Sequence, residues 1–219
     1  QAWAAGAVLH FCQAMLGADK IMASDAGHVL AREILSSGIA LLLALLERNR
    51  KPDWTWFEPV LAYDNCRLPE ALICAGLCLG HVDAVRHGIA TLEWIVQQQI
   101  SPAGHFRPVG SDSFGREGDA PQPFDQQPVE IWAVIDAASA AMEATGDTLW
   151  IDHACCAYSW FSGNNDRGVV VGDPVTGTCF DGINPRGLNL NQGAESVLAY
   201  QLSSWAIQRL LATIETKRQ

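Results

Sequence analysis

Tyr63-Asp64-Asn65-Cys66-Arg67-Leu68-Pro69-Glu70 leads an acidic loop into an apolar helix, and the same design recurs twice further along. The second copy is Phe124-Asp125-Gln126-Gln127-Pro128-Val129-Glu130 and the third is Leu190-Asn191-Gln192-Gly193-Ala194-Glu195. Their glutamates stand 60 and then 65 residues apart. A period of that length holds one helical hairpin with its loops. If each motif opens an inner helix, the three carboxylates converge on one end of a helical array.

Working outward, the pattern is almost all helix. Apolar positions at helical spacing predict helices over about 3–16, 26–47, 68–79, 82–98, 127–144, 148–161 and 194–214. Pro52 stops the second of these, because the residue before a proline avoids helical backbone. Pro69 fits the first turn of the third, where a missing N–H costs nothing. Gly146 reads as a C-terminal cap and Asp147 as the N-cap of the next helix. Two long polar loops remain, about 100–123 and 163–193. Val169-Val170-Val171 in the second suggests a short strand. Loops this long within one domain are usually functional. The alternation of short turns and long loops predicts stacked helical hairpins: an all-α chain, a single domain over 1–219, with about seven helices.

Composition narrows the class. The chain has 219 residues, 49% of them hydrophobic, enough for a sizeable core. Its net charge is −10 and no Lys/Arg stripe is visible, which argues against a nucleic-acid partner. The apolar stretch 38–46 falls short of the ~20 residues of a membrane span, so no membrane partner is expected. Seven cysteines, an odd number lying mostly in apolar helical patterns, read as buried free thiols. That points to a reducing, cytoplasmic setting.

The candidate chemistry is carboxylate chemistry. Cleavage of a glycoside needs two carboxyl groups, ~5–5.5 Å apart for retention and ~6.5–9.5 Å for inversion. Asp64, Asp125 and Glu195 are the candidate catalytic residues, with Asp125 as acid and Asp64 as its partner. Glu70 and Glu130 sit in first helical turns, where a carboxylate caps backbone N–H groups or ties one hairpin to the next. Trp54, Trp56 and Tyr63 precede the first motif and suit stacking on sugar rings or sealing of the core. Trp94, Trp132, Trp150 and Trp205 fall in helical patterns and read as core. Asn65, Gln126, Gln127, Asn191 and Gln192 offer amides that both donate and accept, as sugar hydroxyls require. Arg67 and Arg107 offer forked donors, and His105 is a candidate acid or base. Asp181 lies in an oxygen-rich loop with Asn164, Asn165, Asp166 and Asp173. That loop lacks the spacing of a calcium-binding loop, so no metal is expected. No phosphate-binding loop or serine nucleophile elbow is present, and no cofactor is called for.

These motifs together carry a resemblance. Trp54-x-Trp56-Phe57-Glu58, Tyr63-Asp64-Asn65-x-Arg67-Leu68-Pro69-Glu70-Ala71-Leu72, Phe124-Asp125-Gln126-Gln127-Pro128-Val129-Glu130, Thr145-Gly146-Asp147, Trp160-Phe161-x-Gly163-Asn164-Asn165-Asp166, Asp173-x-x-Thr176-Gly177-x-Cys179-x-Asp181-Gly182 and Asn191-Gln192-Gly193-Ala194-Glu195-Ser196 span about 52–201. The set resembles the α/α-toroid (six-hairpin glycosidase-like) superfamily, and more narrowly the helical domain of bacterial proteins known as glycosyltransferases. The resemblance implies a toroid, here incomplete, since a full one has twelve helices. It also implies that this chain is the C-terminal part of a longer protein whose preceding domain handles a nucleotide sugar.

Three functions follow as expectations. The first is a carbohydrate-active domain with an acidic and aromatic pocket that cleaves an oligosaccharide. The second is a non-catalytic sugar-binding or scaffolding module that serves a glycosyltransferase domain or partner. The third is a sugar isomerase or epimerase using His105. An open apolar face would also give a second copy of the chain a place to pair.

Overall fold

A computed structural model describes residues 2–22, 28–111, 115–119 and 122–217, with side chains from residue 8 to residue 213 within those spans. The described residues form seven α-helices and two small antiparallel strand pairs. The helices are α1 (Ala2–Met22), α2 (His28–Asn49), α3 (Arg67–Leu79), α4 (Val82–Gln98), α5 (Pro128–Thr145), α6 (Leu149–Ser159) and α7 (Ala194–Lys217). The strands are β1 (Val60–Leu61), β2 (Gly115–Arg116), β3 (Gly182–Asn184) and β4 (Gly187–Asn189). The protein is thus mainly α, as the periodicity predicts.

Packing sorts the helices into two layers. α1, α3, α5 and α7 contact one another in that order, and α2, α4 and α6 each pack against members of that row. Burial explains the sorting. α4 is one-sided, hiding Ala84, Gly88, Leu92, Ile95 and Val96 at helical spacing, which suits an outer helix. α3 buries every residue from Arg67 to Ile73, and α5 buries a run rich in alanine. A helix with neighbours on both flanks needs just such all-round apolarity, and small side chains let those neighbours approach. Each buried Leu or Ile of α4 contributes about 2 kcal/mol by leaving water.

The short turns are built as their residues dictate. Gly80 and Gly146 end α3 and α5 with φ of 66° and 71°, a left-handed backbone that glycine adopts without strain. His81 Nδ1 accepts from Ala84 N at 3.2 Å and caps α4. The N-cap of α6 falls on Thr148, one residue past the expected Asp147, and makes no side-chain cap bond; Asp147 Oδ1 instead accepts from Leu149 N at 3.0 Å in the turn before it.

The long loops knit together. β1 pairs with β2 through Val60↔Arg116 and Leu61↔Gly115, and β3 with β4 through Ile183↔Leu188. Gln126 and Ile183 exchange two backbone hydrogen bonds of 2.9 Å each, which joins the second acidic motif to the 163–193 loop. Three expectations change. Val169-Val170-Val171 forms no strand, because the Val171 N–H is used to bond Phe161 O. α6 ends at Ser159 and tightens into a 3-10 turn over Trp160–Ser162. α2 is long and apolar enough, by length and composition alone, to cross a membrane, which the shorter stretch 38–46 did not suggest. In this fold it packs against α1, α3 and α4.

Candidate functional site

The three acidic motifs meet at the turn 63–65, where Glu130 and Glu195 reach the first motif, and Arg67 stands just beyond it. Its guanidinium lies 2.7 Å from Glu70 Oε2 and 2.7 Å from Asp136 Oδ2 through Nη1, and Nε lies 3.4 Å from Asp64 Oδ1. The plane of the guanidinium sits over the Trp132 ring, 4.2 Å from its centroid. α3 supplies Arg67 and Glu70 one turn apart, and α5 supplies Trp132 and Asp136 one turn apart. Rows three and four residues apart share a helix face, so two adjacent helices build the cluster from four residues.

Glu130 holds the turn that precedes α3. Its carboxylate accepts from Asp64 N at 2.5 Å and from Asn65 N at 3.4 Å. This is hairpin-to-hairpin bonding, one of the two structural roles its position implied. Asp64 adopts φ of 53°, unusual for a residue with a side chain. Tyr63, half-buried beside it, hydrogen-bonds to Glu195 at the head of α7. Tyr63, Asp64, Asn65, Arg67 and Glu195 are therefore brought together.

Burial dominates the electrostatics here. It pushes the Asp64 carboxyl up to about 6, although Arg67 pulls it down while Asp136 and Glu195 push it further. Burial takes Glu70 up to about 7 against the pull of Arg67, and Glu130 to about 8, with the Asp64 charge adding to the rise. Asp136 is raised by burial too, with Arg67 opposing. Burial, then Glu195, pushes the Tyr63 phenol far above its ordinary value. One cation cannot neutralise all these carboxylates, so some keep protons near neutrality.

Two buried atoms of this cluster fall short of a full hydrogen bond among the described residues: Arg67 Nη2, a donor, has no acceptor, and Asp64 Oδ1, an acceptor, has only the 3.4 Å ion pair with Arg67 Nε. Both residues are nearly inaccessible, at 5% and 4% exposure. Such orphans are rare in folded proteins and call for a partner, water or ligand.

Several expected ligand residues are occupied elsewhere. Trp54 and Trp56 are 6% and 1% exposed and pack on Trp94, with ring centroids 5.0 and 6.0 Å away. They seal the core, and neither offers a ring face to a sugar. The Asn65 amide bonds Ala62 N and O and closes its own turn. Gln126 is fully buried: its Nε2 donates to Pro123 O and Asp166 Oδ2, and its Oε1 accepts from Trp160 Nε1 at 2.7 Å. Asp166 also receives three hydrogen bonds from Arg107, Nε donating to both carboxylate oxygens and Nη2 to Oδ1, and lies 3.1 Å from His105 Nε2. His105, Arg107 and Gln126 thus form a clamp on one loop aspartate. Burial alone would raise the Asp166 carboxyl, but these donors hold it below the ordinary value.

Asp181 serves α7. Its carboxylate accepts from Asn191 Nδ2, from Gly193 N at 2.6 Å and from Ser196, so it caps the helix head. Asn191 and Gln192 are exposed beside it. Gln127 is half-buried and donates to Ser111 Oγ at 3.4 Å. Asp125 is half-buried after a cis Phe124–Asp125 bond, and its carbonyl accepts from Ser111 N at 3.0 Å.

The sequence reading missed Asp136, Trp132 and Asp166 as site-forming residues. The four-residue spacing of Trp132 and Asp136 ahead of α5's alanines was the available signal. Trp205, read as core, is 57% exposed. No group of three or more His, Cys, Asp or Glu among the described residues is placed to hold a metal ion. All seven cysteines are free. The chain matches no protein-family model and no curated protein.

Proposed function

We propose that this chain is an arc of an α/α toroid whose long-loop end binds a glycoside and cleaves it with a carboxylate pair. The ordered row α1–α3–α5–α7 with α2, α4 and α6 behind it supports the arc. The observation that carries the functional reading is the orphaned pair in the buried cluster. Arg67 Nη2 has no acceptor among the described residues, and Asp64 Oδ1, on the same small cluster, has only the long 3.4 Å contact with Arg67 Nε. A hydroxyl is the simple group that does both, and sugars are ligands made of hydroxyls. Tyr63 and Trp132 add aromatic surface at the same place.

Asp64 takes the acid role expected of Asp125, because burial retains its proton toward neutral pH. Glu195, exposed and oriented by Tyr63, is the second carboxylate. A second reading, a non-catalytic sugar-binding module of a glycosyltransferase, is favoured by one fact: Arg67 already pairs with three carboxylates, which suits a static scaffold. An isomerase using His105 would need that ring free, and Asp166 engages it at 3.1 Å.

The test is turnover of the purified chain against a broad oligosaccharide panel, read by mass spectrometry. Cleavage lost in Asp64→Asn and in Glu195→Gln, with melting unchanged, supports the pair. Cleavage that survives both changes sinks it. Saturable binding without turnover supports the module.

A further inference from the structure

The buried cluster is one end of a longer feature. Trp132, Asp136, Ser139 and Glu143 follow one another at steps of four, three and four along α5, so they form a single stripe. The first two belong to the Arg67 cluster, and the last three line a groove between α5 and α7 of about 420 Å³. On α7, Glu195, Leu198, Leu202, Trp205 and Arg209 make a matching stripe at helical spacing. It begins at the carboxylate bonded to Tyr63 and ends in the same groove, where Trp205, Arg209 and Thr213 form the opposite wall. Asp136 belongs to both places: its Oδ2 accepts from Arg67 Nη1 at 2.7 Å, and it also lines the groove.

The groove has the makings of a ligand site. Its volume lies in the ~300–1,000 Å³ range of small-molecule pockets, and it mixes apolar walls with a few polar groups. Trp205 is 57% exposed, and Arg209 stacks on it with the guanidinium 4.5 Å from the ring centroid. Glu143 and Arg209 line the same groove, yet among the described residues no ion pair joins them. Glu143 on α5 and Arg209 on α7 thus line the groove from its two helices, each without an ion-pair partner among the described residues. From Asp136 to Glu143 the α5 stripe descends about 10 Å at the helical rise, which gives the site length as well as depth.

We infer that the α5–α7 groove is a second sugar subsite, continuous with the Asp64–Arg67 cluster, so that the ligand is a neutral oligosaccharide and not a monosaccharide. This rests on the glycoside reading above. Trp205 supplies the stacking face, and Glu143 and Arg209 bond hydroxyls of the unit that lies against it. A charged sugar is disfavoured, because acidic and basic groups stand on facing walls.

The experiment is calorimetric titration of the whole chain with glucose-, mannose- and xylose-based series of one to five units. Trp205→Ala and Glu143→Gln are measured alongside the unaltered protein, and the melting of each is checked. Glu143 is exposed, so its variant folds even if the loss of Trp205 disturbs α7. In one series the affinity should climb with length. Trp205→Ala should weaken trisaccharide binding about tenfold more than monosaccharide binding, and Glu143→Gln should act in the same direction. Binding that does not depend on length, or variants that weaken all lengths equally, overturns the subsite and leaves the glycoside reading standing. No binding at any length in any series overturns both.

Discussion

Arg67→Met tests the centre of the molecule. The side chain keeps its length and its packing on Trp132 but loses the charge that faces Glu70, Asp136 and Asp64 at 2.7, 2.7 and 3.4 Å. Removing one partner of a buried ion pair costs about 3–5 kcal/mol. For a chain of this size each kcal/mol moves Tm by about 2–4 °C, so a fall of roughly 10 °C or more is expected. The loss should also depend on pH. Asp64 and Glu70 already titrate near 6 and 7 in the folded protein, above their unfolded values of about 4. Arg67 lowers both, so its removal raises them further. A carboxyl raised on folding is stabilising below its unfolded value, and that advantage is lost as pH rises through the folded one. The deficit of Arg67→Met relative to the unaltered protein should therefore be small near pH 5 and clearly larger near pH 8. Urea denaturation and thermal melting at both values read it out. An equal deficit at the two pH values would refute the account of one arginine holding an over-acidic cluster.

Other expectations follow from single contacts. Asp166→Asn should cost about 2 kcal/mol at neutral pH, as a charge-assisted bond set is weakened. Its carboxyl is held low in the fold, so that stability is present above the unfolded value and lost as pH falls; denaturation at pH 7 and pH 3 should show the variant's deficit shrinking. Gly110→Ala should destabilise by about 3 kcal/mol, because a Cβ there would meet Phe124 O at 2.0 Å, and a denaturation midpoint equal to that of the unaltered chain would contradict this packing. Gly17→Ala should instead raise Tm, worth about 1 kcal/mol in the interior of a helix, since its Cβ would meet nothing within 4 Å. Tyr63→Phe should lower glycoside turnover severalfold while leaving melting within a few degrees, since it frees Glu195 but removes one hydrogen bond of about 1 kcal/mol; unchanged turnover would show that Tyr63 does not orient Glu195.

The helices were legible because their evidence is local. Periodic apolar residues, Pro69 at a first turn and Gly80 and Gly146 at helix ends each act within a turn or two of chain, so the seven elements could be read, with most ends shifted by a few residues and the end of α1 by six. The pairing of Glu130 with the Asp64 turn was legible in kind, as hairpin-to-hairpin bonding. The roles of Trp54, Trp56, Gln126, His105 and Arg107 were not. Each is a residue type that serves a ligand or a core equally well, and only its neighbours choose. The partner that claims Arg107 lies 59 residues away, and the one that claims Gln126 lies 40 away. No local pattern reports such a meeting.

The same division applies to the chemistry. The sequence by itself determined a mainly helical chain with acidic motifs at the heads of three helices, because side-chain period and helix-end residues are set by backbone geometry. Only the tertiary structure decided which carboxylates share Arg67, that Asp136 joins them, and that Asp166 pairs with His105 and Arg107. Charge, burial and access are properties of what surrounds a side chain, and in this protein those surroundings come from helices and loops far apart in sequence.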